Sequence, residues 1–561
     1  MKLILKIFFA VILIFFVLLF SFKVSAVGDW PMLRYDEKNS GYSPWRSEIS
    51  TEKIELSYLY ENETFLSPIV FDLDKDGKNE IILTSREGNL YVIKNFNELY
   101  STYRANEKIR TSATVADLED DSTAEIFFSA GRVLYALNAE GEILFNFVAN
   151  SEITSAAKIY DLNNDGRKEI IFGCGDGTLY VLDSKGNEIS KFKAQGSIES
   201  YPAIADINND GRQDIIFGSR DNRLYVITPA INGRPLNIVG IYLAKGDIVS
   251  SPSVYDVDND GKEEIVFGSA DGNIYCLGYW EIINENRKFI NIGNGNWKTE
   301  VKKQIIFKDK WSYKTNREIL SSTAISDIDG DSLAEIVFGS SDKNLYVLNG
   351  FGKKIYSYTV NDKIIASPVV ADLNNDGKKE IIFASADGKI YILKPEGFKI
   401  FEYKTSGKIT ESPIIADIDN DNKAEIMVAS ENKKFYIFSE RKEYKPMMVP
   451  ELTTMTTVYE FEEDLSSIKE VNKNELKNET ENMKANSNSI TISAIVREAR
   501  QGFTILGIFL MIITFGMIAV YISYKAGVSS TKSKEKITKN FAEEEELIEI
   551  VLRERLQRKE K

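Results

Sequence analysis

The chain has 561 residues, 43% of them hydrophobic, with a net charge of −15, two cysteines and no histidine. The missing histidine excludes Ser-His-Asp and Cys-His nucleophilic sites and His-ligated zinc, and the acidic balance argues against a nucleic-acid partner. The length exceeds what one compact core usually holds, a limit that repeat folds escape by adding units.

Residues 1–26 read as a secretory signal peptide: Lys2 and Lys6 precede the apolar run Ile7 to Phe20, and Val24-Ser25-Ala26 suits signal peptidase. An uncleaved signal anchor is the alternative; either way the following domain is exported.

Residues 27–440 carry a repeat. The stretch Asp72-Leu73-Asp74-Lys75-Asp76-Gly77-Lys78-Asn79-Glu80 recurs with first residues Asp117, Asp161, Asp206, Asp256, Asp327, Asp372 and Asp417, at intervals of 45, 44, 45, 50, 71, 45 and 45 residues. An apolar run such as Ser67-Pro68-Ile69-Val70-Phe71 precedes each copy, and runs such as Glu80-Ile81-Ile82-Leu83 and Leu90-Tyr91-Val92-Ile93 follow it. Strand-sized pieces at this period predict a propeller or solenoid of small β-sheets. With a further strand before each unit, eight four-stranded blades result. The outermost strand of a blade follows its third, so Ile54–Tyr60 is left to complete the eighth blade and close the ring without a free edge.

Positions 1, 3, 5 and 9 of each copy present oxygen, and a glycine at position 6 lets the backbone turn a position-7 carbonyl inward. The predicted ligands are Asp72, Asp74, Asp76 and Glu80; Asp117, Glu119, Asp121 and Glu125; Asp161, Asn163, Asp165 and Glu169; and Asp206, Asn208, Asp210 and Asp214. The second half of the ring offers Asp256, Asp258, Asp260 and Glu264; Asp327, Asp329, Asp331 and Glu335; Asp372, Asn374, Asp376 and Glu380; and Asp417, Asp419, Asp421 and Glu425. Carboxylates crowded this closely repel one another unless a cation lies between them. A cage of hard oxygens without nitrogen or sulfur suits Ca²⁺, at up to eight sites. Loop two departs most, with Glu119 for Asp and Ser122 for Gly, while loops six and eight carry Ser332 and Asn422 at position 6. These positions hold 29 of the 84 acidic residues, so bound cations would cancel the net charge.

The D-x-[DN]-x-D-G-x-x-[DE] loop resembles that of FG-GAP and VCBS repeats, as in the propellers of integrin α-subunits and many microbial surface proteins. That resemblance implies a Ca²⁺-binding β-propeller, and eight repeats suit eight blades. The opening Asp29-Trp30-Pro31-Met32-Leu33-Arg34-Tyr35-Asp36, followed by Gly41-Tyr42-Ser43-Pro44, is similar to the N-terminal segment of quinoprotein-type (PQQ-like) propellers. Those enzymes use vicinal cysteines, and neither Cys174 nor Cys276 has a cysteine neighbour. Both are expected to be free and buried.

Two insertions, at about 228–236 and 278–307, fall between a third and an outer strand, on the face that carries the loops. The longer holds Tyr279, Trp280, Phe289 and Trp297, which are candidate ligand contacts, with a structural cap as the alternative.

Residues 441–500 read as a polar stalk. Residues 501–524 read as a transmembrane helix, whose uncharged part, 503–524, would span roughly 33 Å. Lysines crowd residues 525–561, which places that tail in the cytoplasm and the propeller outside. The expected function is a cell-surface, non-enzymatic binding protein for an extracellular protein or glycan. A carbohydrate-active enzyme such as a polysaccharide lyase, and an envelope assembly scaffold, are the alternatives.

Overall fold

The computed structural model describes residues 32–448 apart from 51–52, 97, 122, 232, 284–287, 292–296, 301–302 and 441–444. The signal, transmembrane and tail assignments, and the stalk apart from Lys445–Met448, lie outside the described residues, and no helix among the described residues is long and apolar enough to cross a membrane.

Short runs of Ile, Val and Phe, whose branched or aromatic side chains suit a pleated surface, form strands throughout, and these build an all-β, eight-bladed propeller. Blade one pairs Ile69–Phe71, Glu80–Thr84, Asn89–Lys94 and Glu98–Arg104 in that order, each antiparallel to the last. Six more blades repeat this arrangement, the seventh with Tyr42–Arg46 added in parallel at its inner strand. The second strands are buried along their whole length, as in Glu169–Gly173, apart from Glu125 at the start of blade two's, because a neighbouring blade covers each face. Outer strands such as Lys354–Thr359 alternate with solvent.

Ring closure follows the sequence expectation. Glu55–Glu61 pairs antiparallel with Lys434–Ser439, so the N-terminal side supplies the outer strand of blade eight. A fifth strand, Lys445–Met448, then pairs in parallel with Glu55–Glu61 and covers that edge.

Aromatic trios staple blade to blade. Phe172 stacks on Tyr180 within blade three at 5.4 Å, and Phe147 from the outer strand of blade two meets both edge-on at 5.9 and 5.3 Å. Phe192 with Phe217 and Tyr225, and Tyr242 with Phe267 and Tyr275, repeat the arrangement. Each such pair contributes about 0.5–1.5 kcal/mol beyond burial. On the inner ring a relay runs from blade to blade, in which the Tyr201 N–H donates to Ser251 Oγ, Ser251 to Ser322, Ser322 to Ser367 and Ser367 to Ser412.

The expected insertion at 278–307 is paired strand over much of its length. The third and outer strands of blade five are Asn273–Ile283 and Lys303–Lys314, paired from Asn273↔Lys314 to Ile283↔Lys303. They leave the blade as a two-stranded arm, and a second hairpin pairs Lys288–Asn291 with Trp297–Glu300. The arm's base leans on blade four, where Gly240 leaves the space that the Phe307 ring fills. The 228–236 insertion is a loop, and Ile231 and Leu236 in it pack against the interface of blades three and four.

Candidate functional site

All eight loops sit between the first and second strands of their blades, and their geometry is built from their own side chains. The position-5 carboxylate accepts the position-7 backbone N–H in every copy, from Lys78 onto Asp76 at 2.8 Å to Lys423 onto Asp421 at 2.9 Å. The position-1 carboxylate accepts the position-6 N–H, as Gly166 onto Asp161 at 2.8 Å and Asn422 onto Asp417 at 2.9 Å. Position 6 has positive φ in each described copy, including Ser332 at 69° and Asn422 at 63°. Nothing lies within 4 Å of a Cβ placed on Gly77, so glycine serves conformation there and not space.

Position 4 is also left-handed throughout, a requirement the sequence reading missed. Asn164, Asn209, Asn259, Asn375 and Asn420 have φ of 53–59°, and Gly330, Lys75 and Asp120 fill the other copies. The recurrence of asparagine, which tolerates this region best after glycine, was the available signal.

The position-9 residue is the buried floor. One oxygen of Glu80 accepts the Leu73 N–H at 2.8 Å, and Glu125, Glu169, Glu264, Glu335, Glu380 and Glu425 repeat this bond with the residue at position 2. Asp214 is too short for that bond and accepts the Thr228 hydroxyl at 2.6 Å. Burial pushes Glu80, Glu169, Glu264, Glu335, Glu380 and Asp214 up to about 7, and Glu425 well above its ordinary value.

In four loops, three carboxylate groups bring oxygens within 4.8 Å of one another: Asp72, Asp74 and Glu80; Asp256, Asp258 and Asp260; Asp327, Asp329 and Glu335; Asp417, Asp419 and Glu425. Loops three, four and seven carry Asn at position 3, with Asn163 and Asn374 donating to their glutamates at 2.8 and 3.1 Å. Loop two is again the outlier, for Glu119 approaches Ser184 of blade three at 3.5 Å and Ser122 lies outside the described residues. Asp72 Oδ1, Asn163 Oδ1, Asp214 Oδ2 and Asp258 Oδ1 are buried without a hydrogen-bond partner. Such oxygens are costly to bury unless something coordinates them, so several of these clusters could hold metal ions.

The predicted aromatic contacts divide. Tyr279 is half-buried and packs against the interface of blades four and five. Trp280 pairs with Ile306, Phe289 with Thr299 and Trp297 with Asn291, all on the arm and its terminal hairpin. Cys174 and Cys276 are free and buried, and burial pushes the Cys174 thiol up to about 12.

The segment 32–41 was read only for its resemblance, and it holds the centre. Its carbonyls at Glu37, Lys38, Ser40 and Gly41 accept the inner-strand N–H groups of Ile204, Val254, Ile325 and Val370, in blades four to seven. Asn39, 0% exposed, donates to the carbonyls of Tyr201 and Pro252, both at 3.0 Å. The Lys158 ammonium of blade three, also fully buried, donates to the Asp36 carbonyl and to Asn39 Oδ1, both at 2.8 Å. It lies 4.1 Å from the centre of the Tyr201 ring. Burial lowers Lys158 to about 7, against the pull of Asp36 and Glu37. Arg34 donates to the carbonyls of Thr323 and Pro368. A lysine at an inner-strand position that Ile69, Thr114, Ala203, Ser253, Ala324, Val369 and Ile414 occupy elsewhere was the signal.

A family model described as FG-GAP-like repeat matches residues 161–217, 206–267, 327–383 and 372–428. No curated protein sequence matches the chain. Among solved structures, the quinohemoprotein alcohol dehydrogenase ADHIIG of Pseudomonas putida HK5 is similar at 13% identity and a TM-score of 0.50, over 75% of this chain and 82% of that one. BamB of Moraxella catarrhalis is similar at 16% identity and a TM-score of 0.44, over 69% of this chain and 98% of that one. The V. cholerae biofilm matrix protein Bap1 gives 14% and 0.49, over 69% of this chain and 91% of that one. At these identities the likeness extends to fold alone. The chain is an eight-bladed β-propeller that carries FG-GAP-like repeats.

Proposed function

We propose that the ring is a calcium-braced recognition module, exported and held to a membrane by residues 501–524, which binds an extracellular protein or glycan through the arm of blade five. The arm carries this reading. Seven blades end their third and outer strands at the ring, whereas those of blade five stay paired out to Ile283↔Lys303 and lead into a further hairpin. Binding residues are disproportionately carried on connecting segments that a rigid scaffold positions. The arm leaves from the end of the blade that carries the loops, so a bound carboxylate or acidic glycan can reach a loop cation as well. The reading is non-enzymatic, in keeping with a chain without histidine whose two thiols are buried.

An array of immobilised glycans, with product analysis of each hit, tests this against a carbohydrate-active enzyme. Cleaved products would replace the binding reading with that alternative. Replacing residues 281–305 by Asn-Gly puts a two-residue turn between the register partners Trp280 and Ile306. The shortened protein should melt as the full chain does and bind its hits at least tenfold more weakly, about 1.4 kcal/mol. Undiminished binding by the folded deletion would move the site to the opposite face. For the membrane reading, protease added outside intact cells should remove the propeller and leave a fragment carrying 525–561; a protected propeller would reverse the orientation.

A further inference from the structure

We propose that loop five is occupied by the protein's own Lys310 ammonium in place of a divalent cation, so that this blade is braced without metal. The proposal rests on the calcium reading of the other loops.

Lys310 Nζ lies 2.8 Å from Asp258 Oδ2, 3.0 Å from Asp260 Oδ2 and 2.6 Å from Glu264 Oε1. These three groups are positions 3, 5 and 9, three of the four side chains that would otherwise coordinate the ion. In loop one Lys94 reaches a single carboxylate, Asp74. One ammonium against three carboxylates in a half-buried pocket supplies charge and three directed donors at once.

The backbone explains how the lysine arrives. Every outer strand has a bulge at the same place, where one residue is left unpaired beside its neighbours. The unpaired residues are Tyr100, Leu144, Ile189, Val239, Lys310, Ile355, Ile400 and Ser57. A bulge re-aims its side chain, and blade five alone in this series places a cation there. The opposing strand makes room, since a Cβ on Gly278 would lie 3.2 Å from Lys310 Cε. The corresponding residue of blade four is Thr228, whose hydroxyl bonds Asp214. Lys310 also belongs to the returning strand of the arm, Lys303–Lys314. These three ion pairs therefore tie the arm's base to the ring whatever the calcium concentration.

Equilibrium dialysis of the full-length chain in detergent against radioactive calcium counts the bound ions. Lys310→Met keeps the aliphatic stem and should raise the count by one per chain. Asp256→Asn should leave the count unchanged in the otherwise native chain and lower it by one in the Lys310→Met background. Asp327→Asn, in a loop with no such lysine, should lower it by one in both. Equal counts with and without Lys310 overturn the proposal, as does any loss on Asp256→Asn in the native chain, and the second result does not depend on the lysine variant folding. An unchanged count on Asp327→Asn faults the calcium reading of loop six instead; no calcium in any form overturns both.

Discussion

Chelating divalent cations should lower the melting temperature of the full-length chain by on the order of 10 °C at pH 8, and by much less at pH 5.5. A ligand that binds only the folded state adds about 2.7 kcal/mol per site at a hundredfold excess over its Kd. The contributions of separate blades sum approximately in a repeat fold. A ring of this size loses roughly 1 °C per kcal/mol, so five such loops reach the stated shift. The pH dependence follows from the position-9 carboxylates. Without a cation, burial holds Glu80, Glu169, Asp214, Glu335 and Glu380 at about 7, above the ordinary carboxylate range. Folding then favours the protonated form. That stability is present below the unfolded value and is lost as pH rises through about 7. Calcium needs the same groups ionised and reverses the trend. Differential scanning calorimetry with and without chelator at both pH values checks this. Identical curves at pH 8 would sink the calcium reading, and a chelator effect that grows toward acid would contradict the role of the buried floor.

Substituting Asn39→Ala should destabilise the ring by about 4 kcal/mol, although the residue belongs to no blade. Two buried carbonyls, of Tyr201 and Pro252, lose their donors, and the buried Lys158 ammonium loses an acceptor. Each unsatisfied buried group costs about 1–3 kcal/mol. Alanine must also adopt a φ of 57°, at roughly 1 kcal/mol. Urea denaturation of the full chain reads the loss. Combining the change with Lys158→Met should cost less than the separate losses together, because both act on one network. A loss below about 1 kcal/mol would mean that residues 32–41 add little to the ring.

The repeat period, the four strands of each blade, the closing strand and the eight loops were legible in the sequence because each is written within a few residues. Alternating oxygens, a glycine at position 6 and an apolar run on either side specify a hairpin through local dihedral preferences and strand pairing, which the chain satisfies wherever the unit recurs. The Ile54–Tyr60 assignment worked for a related reason: eight units with one strand left over admit one arrangement without a free edge.

What tertiary structure decided lies between residues far apart in the chain. Nothing near Asn39 announces that Tyr201, Pro252 and Lys158 surround it, since closure of the ring brings inner strands from several blades to one axis. The 278–307 insertion carries no repeat motif to announce its conformation; continued pairing between its two sides makes it an arm. Loop five shows the limit most directly. Its motif, Asp256 to Glu264, is as complete as any in the chain, yet the ammonium that pairs with three of its carboxylates comes from Lys310, at a bulge in the outer strand. Spacing within a motif reports which ligands a loop can offer, and the long-range fold determines which charge answers them.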